Sequence, residues 1–268
     1  MVVAELMELP VRGVEEDGDE LVVYLPPPEE AEVDDVVATV TERIRSLLGD
    51  EFRGVAHHWQ AHEAWEETWR QGLEPRRISP RLVVAPSWTD PGLEPGEVLI
   101  AIDPGMAFGT AEHPTTRGCL RLLDRRVEPG QRIADVGAGS GILAIAAAQL
   151  GADFVLALEM DPWACEVARE NARLNGVGDR VQVRAESADP EFLPEEPAFD
   201  GIVSNIETGV LIPLLEGFRG GLRPGGWLIL SGILESEAED IRATARSLGL
   251  ELEEEDVEEG WWSGAFTS

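Results

Sequence analysis

The sequence contains no lysine, only two cysteines, and no apolar run that could span a membrane. A transmembrane helix needs about 18 consecutive apolar residues, so a membrane protein is not expected. The cysteines, Cys119 and Cys165, lie in helical patterns at no metal-ligand spacing and are expected to be buried free thiols. The first twenty residues turn acidic without a basic flank, so we expect no secretory signal and a cytoplasmic location.

Acidic residues are in large excess, with 52 Asp and Glu against 21 Arg, for a net charge of -31. The negative electrostatic field of such a charge repels nucleic acid and attracts cationic partners. A high-salt cytoplasm or a GC-rich genome gives the same balance, and we weight this compositional explanation more heavily. Histidine is scarce, and His57, His58 and His62 have no carboxylate or cysteine at metal-ligand spacing. They are expected to be packing or surface residues, and no metal site is predicted.

The length of 268 residues favours two domains, one large and one small. Residues 1–54 have the pattern of a small α+β unit, with one strand and one helix separated by three prolines. Residues 55–96 are predicted to form a linker helix, with Trp65 and Trp69 on one face, followed by a connecting strand. Residues 97–268 make up the large domain.

From Gln131 onward, apolar segments alternate with helical ones. This alternation predicts an α/β fold, in which helices cover both faces of a mostly parallel sheet. The ending differs, because a helix is followed by two strand patterns, "LELEEEDVEE" and "WWSGAFTS". Two strands joined by a short turn must pair antiparallel, so we expect them to pair in this way at the sheet edge.

A glycine-rich loop follows the first strand of this pattern. Asp135 ends the strand, and Gly137, Gly139 and Gly141 precede a helix whose N-terminal N–H groups are free to meet a ligand. Ile142 stands where a dinucleotide fingerprint requires glycine or alanine, and Asp135 would repel a pyrophosphate. The loop therefore favours a ligand with a positive charge, although a tight turn without a ligand is the alternative.

Two polar residues end later strands of the same sheet. Glu159, twenty residues beyond Gly139, is placed to accept hydrogen bonds from ribose hydroxyls, although it could be a solvated strand cap. S-adenosylmethionine is a nucleoside that carries a positive charge, so it matches the ligand that these residues favour. Asn205 is placed to contact the amino acid part of that cofactor or to orient an amine, unless it only caps a loop. No proline-proline-aromatic run follows Asn205, which disfavours methylation of a flipped DNA base.

The segment "DPGMAFGTAEHPTT", Asp103–Thr116, immediately precedes this domain's first long helical pattern. Its glycines would let it fold over the cofactor, with Phe108 as an apolar wall and Thr115 or Thr116 as a hydroxyl near a helix start. We interpret it as a lid. The alternative is an interdomain linker anchored in the core by Phe108.

With these residues in view, the chain from about Trp65 onward resembles the ribosomal protein L11 methyltransferases (the PrmA family), class I S-adenosylmethionine-dependent enzymes. The resemblance depends on "DPGMAFGT…HPTT" together with four shorter motifs. These are "PSW" at Pro86–Trp88, "GSGILAIAA" at Gly139–Ala147, "NAxxNG" at Asn171–Gly176 and "LSGIL" at Leu230–Leu234.

The resemblance implies a Rossmann-like, seven-stranded, mostly parallel sheet with an antiparallel C-terminal strand, and a substrate-recognition role for residues 1–54. It implies cofactor contacts from Phe108, Thr116, Gly137, Glu159 and Asn205, to which the residue patterns add Asp135 and Gly139. The substrate implied is a ribosomal large-subunit protein, methylated on lysine side chains, with its N-terminal amine as a further candidate. We expect a monomer, with no membrane and no direct nucleic acid partner.

The sequence departs from the family pattern at three places. Ala111 and Glu112 stand where the family usually has glycine and then a small or basic residue, Glu159 replaces an aspartate, and "NIETGVLIPL", which begins at Asn205, is longer than usual. The last change borders the acceptor side, so methylation of another protein or of a small amine is the alternative function. A nicotinamide dehydrogenase is disfavoured by Asp135 and Ile142, and a non-catalytic nucleoside-binding module would need no lid.

Overall fold

The computed structural model describes residues 13–17, 20–24, 33–48, 53–55, 74–103, 109, 111–187 and 190–268. The chain divides into two compact units, Met1–Glu67 and Thr68–Ser268. The first unit contains an antiparallel hairpin and the predicted helix: β1 (Gly13–Asp17), β2 (Glu20–Tyr24) and α1 (Val33–Leu48). Of the two strands, only β2 was predicted. The features assigned to His57, His58, His62, Trp65 and Trp69 lie outside the described residues.

The second unit contains two sheets. The smaller sheet has three strands, β3 (Arg76–Arg77), β4 (Leu82–Ala85) and β5 (Val98–Ala101), of which β4 is the predicted connecting strand. Because β4 and β5 pair in parallel, this sheet includes residues on both sides of position 96. The domain limits given above remain a prediction.

The larger sheet has seven strands in the order β11-β12-β10-β9-β6-β7-β8. These strands are β6 (Arg132–Val136), β7 (Phe154–Glu159), β8 (Val181–Ala185), β9 (Phe199–Asn205), β10 (Leu222–Leu234), β11 (Glu251–Glu258) and β12 (Trp261–Thr267). Neighbouring strands from β8 to β10 are parallel, whereas β12 runs antiparallel to β10 and to β11. The predicted architecture is confirmed, with β12 inserted between β10 and the edge strand β11.

Helices cover both faces of this sheet, as the alternating pattern predicts. They are α2 (Pro114–Arg126), α3 (Ile142–Gln149), α4 (Pro162–Leu174), α5 (Phe192–Glu195), α6 (Thr208–Gly221) and α7 (Ala238–Ser247). Successive strand residues enter opposite cores, since Ile133 packs in one apolar cluster and Ala134 in the other. Among the described residues, no helix combines the length and apolarity that a membrane crossing needs.

The edge strand β11 is covered by arginines of α2. Arginines four residues apart on the helix meet carboxylates two residues apart on the strand, because both spacings are about 6 Å. The ion pairs are Arg117–Glu258 at 2.7 Å, Arg121–Asp256 at 2.5 Å and Arg125–Glu254 at 2.6 Å. We call these six residues the arginine ladder. It neutralises part of the acidic strand on the face that packs against α2.

Replacing Arg121 by methionine is expected to lower the free energy of unfolding by about 1–3 kcal/mol at pH 7, because Asp256 and Glu258 lose a half-buried partner. Hydrogen bonds from Arg117 and, to a lesser extent, from Arg121 hold the pKa of Glu258 below its ordinary value. A lowered carboxylate pKa stabilises the fold above the unfolded-state pKa, and this contribution is lost as pH falls through the folded-state value. Urea unfolding should therefore show a deficit at pH 7 that shrinks towards pH 3.

Arg125 provides the matched control, since its side chain is 45% exposed and its pair with Glu254 is solvated. Arg125→Met should cost under about 1 kcal/mol. Equal losses in the two variants, or a deficit that does not depend on pH, would contradict an electrostatic role for the ladder.

Candidate functional site

The predicted glycine loop joins β6 to α3 at the carboxyl end of the parallel sheet. Gly137, Gly139 and Gly141 have φ values of 78°, 54° and 80°, the left-handed region that favours glycine. A Cβ atom at Gly137 would lie 2.5 Å from Cγ2 of Ile206, the residue after β9. The loop therefore needs glycine both for its backbone conformation and for close packing against the end of β9.

Asp135 is fully buried below this loop. Its Oδ2 accepts a hydrogen bond of 2.9 Å from the N–H of Ala144, whereas Oδ1 has no hydrogen-bond partner among the described residues. Burial raises the pKa of Asp135 to about 7, and the negative charge of Glu159 acts in the same direction. A buried carboxyl oxygen without a partner is costly. The site is therefore suited to a cationic ligand, which would stabilise the ionised form.

Glu159, at the end of β7, is fixed beside the loop. Its Oε2 accepts from the N–H of Gly139 at 2.9 Å, and its Oε1 accepts from the N–H of Asp161 at 3.0 Å. A carboxylate has about four acceptor positions, so both oxygens can still accept from hydroxyls. The structure thus brings together Glu159 and the glycine loop, as the twenty-residue spacing predicts.

Asn205 and Thr116 form the second part of the site. Asn205 ends β9, is half-buried, and its Nδ2 donates to the Thr116 hydroxyl at 3.4 Å. Thr116 is fully buried in the first turn of α2. The glycine loop lies next to this pair. Gly137 of the loop packs closely against Ile206, which directly follows Asn205. In the described part of the chain no group donates to the side-chain oxygen of Asn205, which can therefore accept a hydrogen bond.

Phe108 and its neighbours at 104–107 and 110 lie outside the described residues, so the lid interpretation of Asp103–Thr116 stays a prediction. The described parts of this segment are well anchored. Asp103 accepts from the N–H and hydroxyl of Ser87, both at 2.7 Å. Ala111 is fully buried with a φ of 63°, a conformation that costs about 1–2 kcal/mol for a residue with a Cβ. This conformation explains why glycine is the residue expected there.

Three residues near the loop were given no role from the sequence. Ser140 lies inside the glycine loop, and Asn171 and Asn175 occupy one face of α4 and its C-cap. The signal was present in the "NAxxNG" motif, whose two asparagines are four residues apart and so lie on one side of the helix. Their partners could not be predicted, because they are backbone atoms of distant segments.

Comparison with known proteins agrees with this geometry. A family model described as "Ribosomal protein L11 methyltransferase (PrmA)" matches residues 6–267. A ribosomal protein L11 methyltransferase of Chloroflexus aurantiacus is 42% identical over 75% of this chain and 68% of its own length. One of Pelotomaculum thermopropionicum is 45% identical over 81% of this chain and 69% of its own length.

A solved structure is also similar. The crystal structure of the ribosomal protein L11 methylase from Lactobacillus delbrueckii subsp. bulgaricus aligns with a TM-score of 0.63 at 32% identity. The alignment covers 72% of this chain and 97% of that one.

Proposed function

Because the chain belongs to the ribosomal protein L11 methyltransferase family, we propose that it methylates amino groups of ribosomal protein L11. S-adenosylmethionine is the methyl donor of this family, and the fold is that of its class I methyltransferases. The relatives' name supplies the substrate proposal. Lysine side chains, and the N-terminal amine as a further candidate, are the proposed acceptors. A ribosomal substrate also favours action in the cytoplasm.

The unpartnered buried oxygen of Asp135 is the single observation that best supports this cofactor over a dinucleotide. A diphosphate brought beside a buried carboxyl would be repelled, whereas a cationic group would be attracted. We propose that Asp135, Gly137 and Gly139 hold the amino acid side of the cofactor and that Glu159 binds its ribose. Thr116 is a further proposed contact, and Phe108, from the sequence pattern alone, is the proposed apolar wall.

The cofactor supplies a methyl group on a sulfonium, which is already activated for displacement. The residues of this chain then have to orient a neutral amine and exclude water. We propose that the side-chain oxygen of Asn205 accepts a hydrogen bond from the amine and so directs its lone pair. A lysine has an ordinary pKa of about 10.4, and desolvation beside Asn205 would favour its neutral form. No dedicated base is required.

The decisive experiment incubates the full chain with purified ribosomal protein L11 and S-adenosylmethionine carrying a labelled methyl group. We expect label on lysine residues of L11, located by peptide mass spectrometry. The enzyme contains no lysine, so every methyllysine must come from the added protein. Binding of the cofactor and of a nicotinamide dinucleotide is compared by calorimetry, with only the former expected to bind.

The two measurements separate the parts of the proposal. Cofactor binding without label on L11 would overturn the substrate, and a methyl acceptor would then be sought among other basic ribosomal proteins and small amines. Binding of the dinucleotide in place of S-adenosylmethionine would overturn the whole assignment.

A further inference from the structure

Two asparagines on one face of α4 connect the glycine loop to segments that are distant in the chain. Asn171 lies in the last two turns of the helix and is 7% exposed, and Asn175 is the C-cap residue. Neither is among the proposed cofactor contacts. Both use their side-chain amides on backbone atoms outside the helix.

Asn175 binds the last residue of β5 at both of its backbone groups. Its Oδ1 accepts from the N–H of Ala101 at 2.8 Å, and its Nδ2 donates to the carbonyl of Ala101 at 2.7 Å. The same Nδ2 donates to the carbonyl of Asn171 at 2.8 Å. The side chain thus occupies both polar groups of Ala101 and fixes the end of β5 to α4.

Asn171 continues the connection to the glycine loop. Its Nδ2 donates to the carbonyl of Ser140 at 2.9 Å, and the Ser140 hydroxyl donates to the carbonyl of Gly109 at 2.6 Å. Ser140 is 1% exposed, and its bond with Asn171 is shielded from water, whereas the bond to Gly109 is partly buried. Gly109 has a φ of 106°, and a Cβ there would lie 2.7 Å from Oγ of Ser140. This contact therefore requires glycine at position 109.

We propose that Ser140, Asn171 and Asn175 are positioning residues that fix the glycine loop relative to Ala101 and Gly109 and thereby set the affinity for S-adenosylmethionine. The inference depends on the proposed function only for the identity of this ligand. Asn171 and Ser140 act directly on the loop, whereas Asn175 acts on it through the backbone of α4 at Asn171. Removing one of these side chains leaves a buried or half-buried backbone group without its partner and loosens one attachment of the loop.

The test compares Ser140→Ala and Asn175→Ala with Gln149→Ala as the matched control. Gln149 donates from Nε2 to the carbonyl of Asn175 at 2.7 Å, so its loss removes a hydrogen bond at the same junction but spares the loop. The measurements are the calorimetric dissociation constant for S-adenosylmethionine and the urea midpoint of the unliganded protein. The dissociation constant is taken under conditions where every variant is folded.

Ser140→Ala and Asn175→Ala should each weaken cofactor binding by about 5- to 30-fold. Gln149→Ala should lower the urea midpoint but leave the dissociation constant within about twofold of the wild-type value. The double variant Ser140→Ala/Asn175→Ala should lose less binding free energy for the cofactor than the sum of the two single losses. Both side chains act on one connected network, so their effects are not independent.

Unchanged cofactor affinity in Ser140→Ala and Asn175→Ala, with only the urea midpoint lowered, would overturn the positioning role. An equal loss of affinity in Gln149→Ala would also overturn it. If the unmodified chain does not bind S-adenosylmethionine, the proposed function fails instead, so the two failures are distinguishable.

Discussion

Asp135→Asn is expected to weaken S-adenosylmethionine binding by about 100-fold and, at the same time, to stabilise the unliganded protein above pH 7. The loss of affinity follows because asparagine is neutral and no longer attracts the cationic end of the cofactor. The gain in stability follows because the carboxylate that it replaces is fully buried with one oxygen unpartnered. Calorimetry measures the first effect and urea unfolding the second.

The direction in which stability changes with pH follows from the pKa of Asp135. Burial raises the pKa of Asp135 from 3.8 to about 7 in the folded state. The folded protein therefore binds this proton more tightly than the unfolded chain does. Proton binding by Asp135 contributes its full stabilisation of the fold below about pH 4. The effect is lost as pH rises through 7, at a cost on the order of 4 kcal/mol for the wild type. The variant lacks this titration.

Wild type and Asp135→Asn should therefore differ more in unfolding free energy at pH 8 than at pH 5. Cofactor affinity of the wild type should increase up to about pH 7, because only ionised Asp135 attracts the ligand. Glu159→Gln is a control for stability only: it should also weaken cofactor binding, because Glu159 is the proposed ribose contact, but it should give no gain in stability above pH 7, because both of its oxygens accept hydrogen bonds. An Asp135→Asn variant with wild-type affinity would refute the electrostatic role.

Asn205→Ala is expected to reduce kcat by about 100-fold at saturating cofactor and protein substrate. The side chain ends β9, and its oxygen is available to orient an amine, whereas its Nδ2 donates to Thr116 at 3.4 Å. Because the bond to Thr116 is long, its loss should cost little stability. Single-turnover methyl transfer measures the effect on chemistry, and calorimetry measures any effect on the cofactor.

The variant Asn205→Asp distinguishes a role of Asn205 in orienting the amine from a role in packing alone. It keeps an acceptor oxygen at the same place, so it should retain more activity than alanine if its oxygen orients the amine. Turnover of Asn205→Ala that equals the wild-type value would show that this side chain has no part in orientation. A cofactor affinity lowered as strongly as kcat would instead assign Asn205 to cofactor binding alone.

The alternation of apolar and helical segments was enough to predict the main sheet, because each β-α unit has its own local pattern and parallel strands require helical connections. The same holds for the glycine loop and Glu159, whose spacing is fixed by one strand, one helix and the next strand. The hydrogen bond from Gly139 to Glu159 is the contact that this spacing leads one to expect.

Other contacts were not predictable, because they join segments without a shared pattern. The hydrogen bonds between Asn175 and Ala101 join residues 74 positions apart, and the ion pair of Arg117 with Glu258 joins residues 141 positions apart. Two-residue β3 is too short to leave a periodic signal. The insertion of β12 inside the sheet likewise depends on which strand edges remain open after the others have paired.

This insertion bears on the order in which the sheet can be completed. Among the described residues, the edge strand β11 pairs with β12 alone, so it can join the sheet only once β12 has paired with β10. Until Trp261–Thr267 is in place, β10 presents an unpaired apolar edge that includes Leu228 and Ile229. Folding intermediates in which β12 has not yet docked would therefore be the forms most exposed to chaperones and to aggregation.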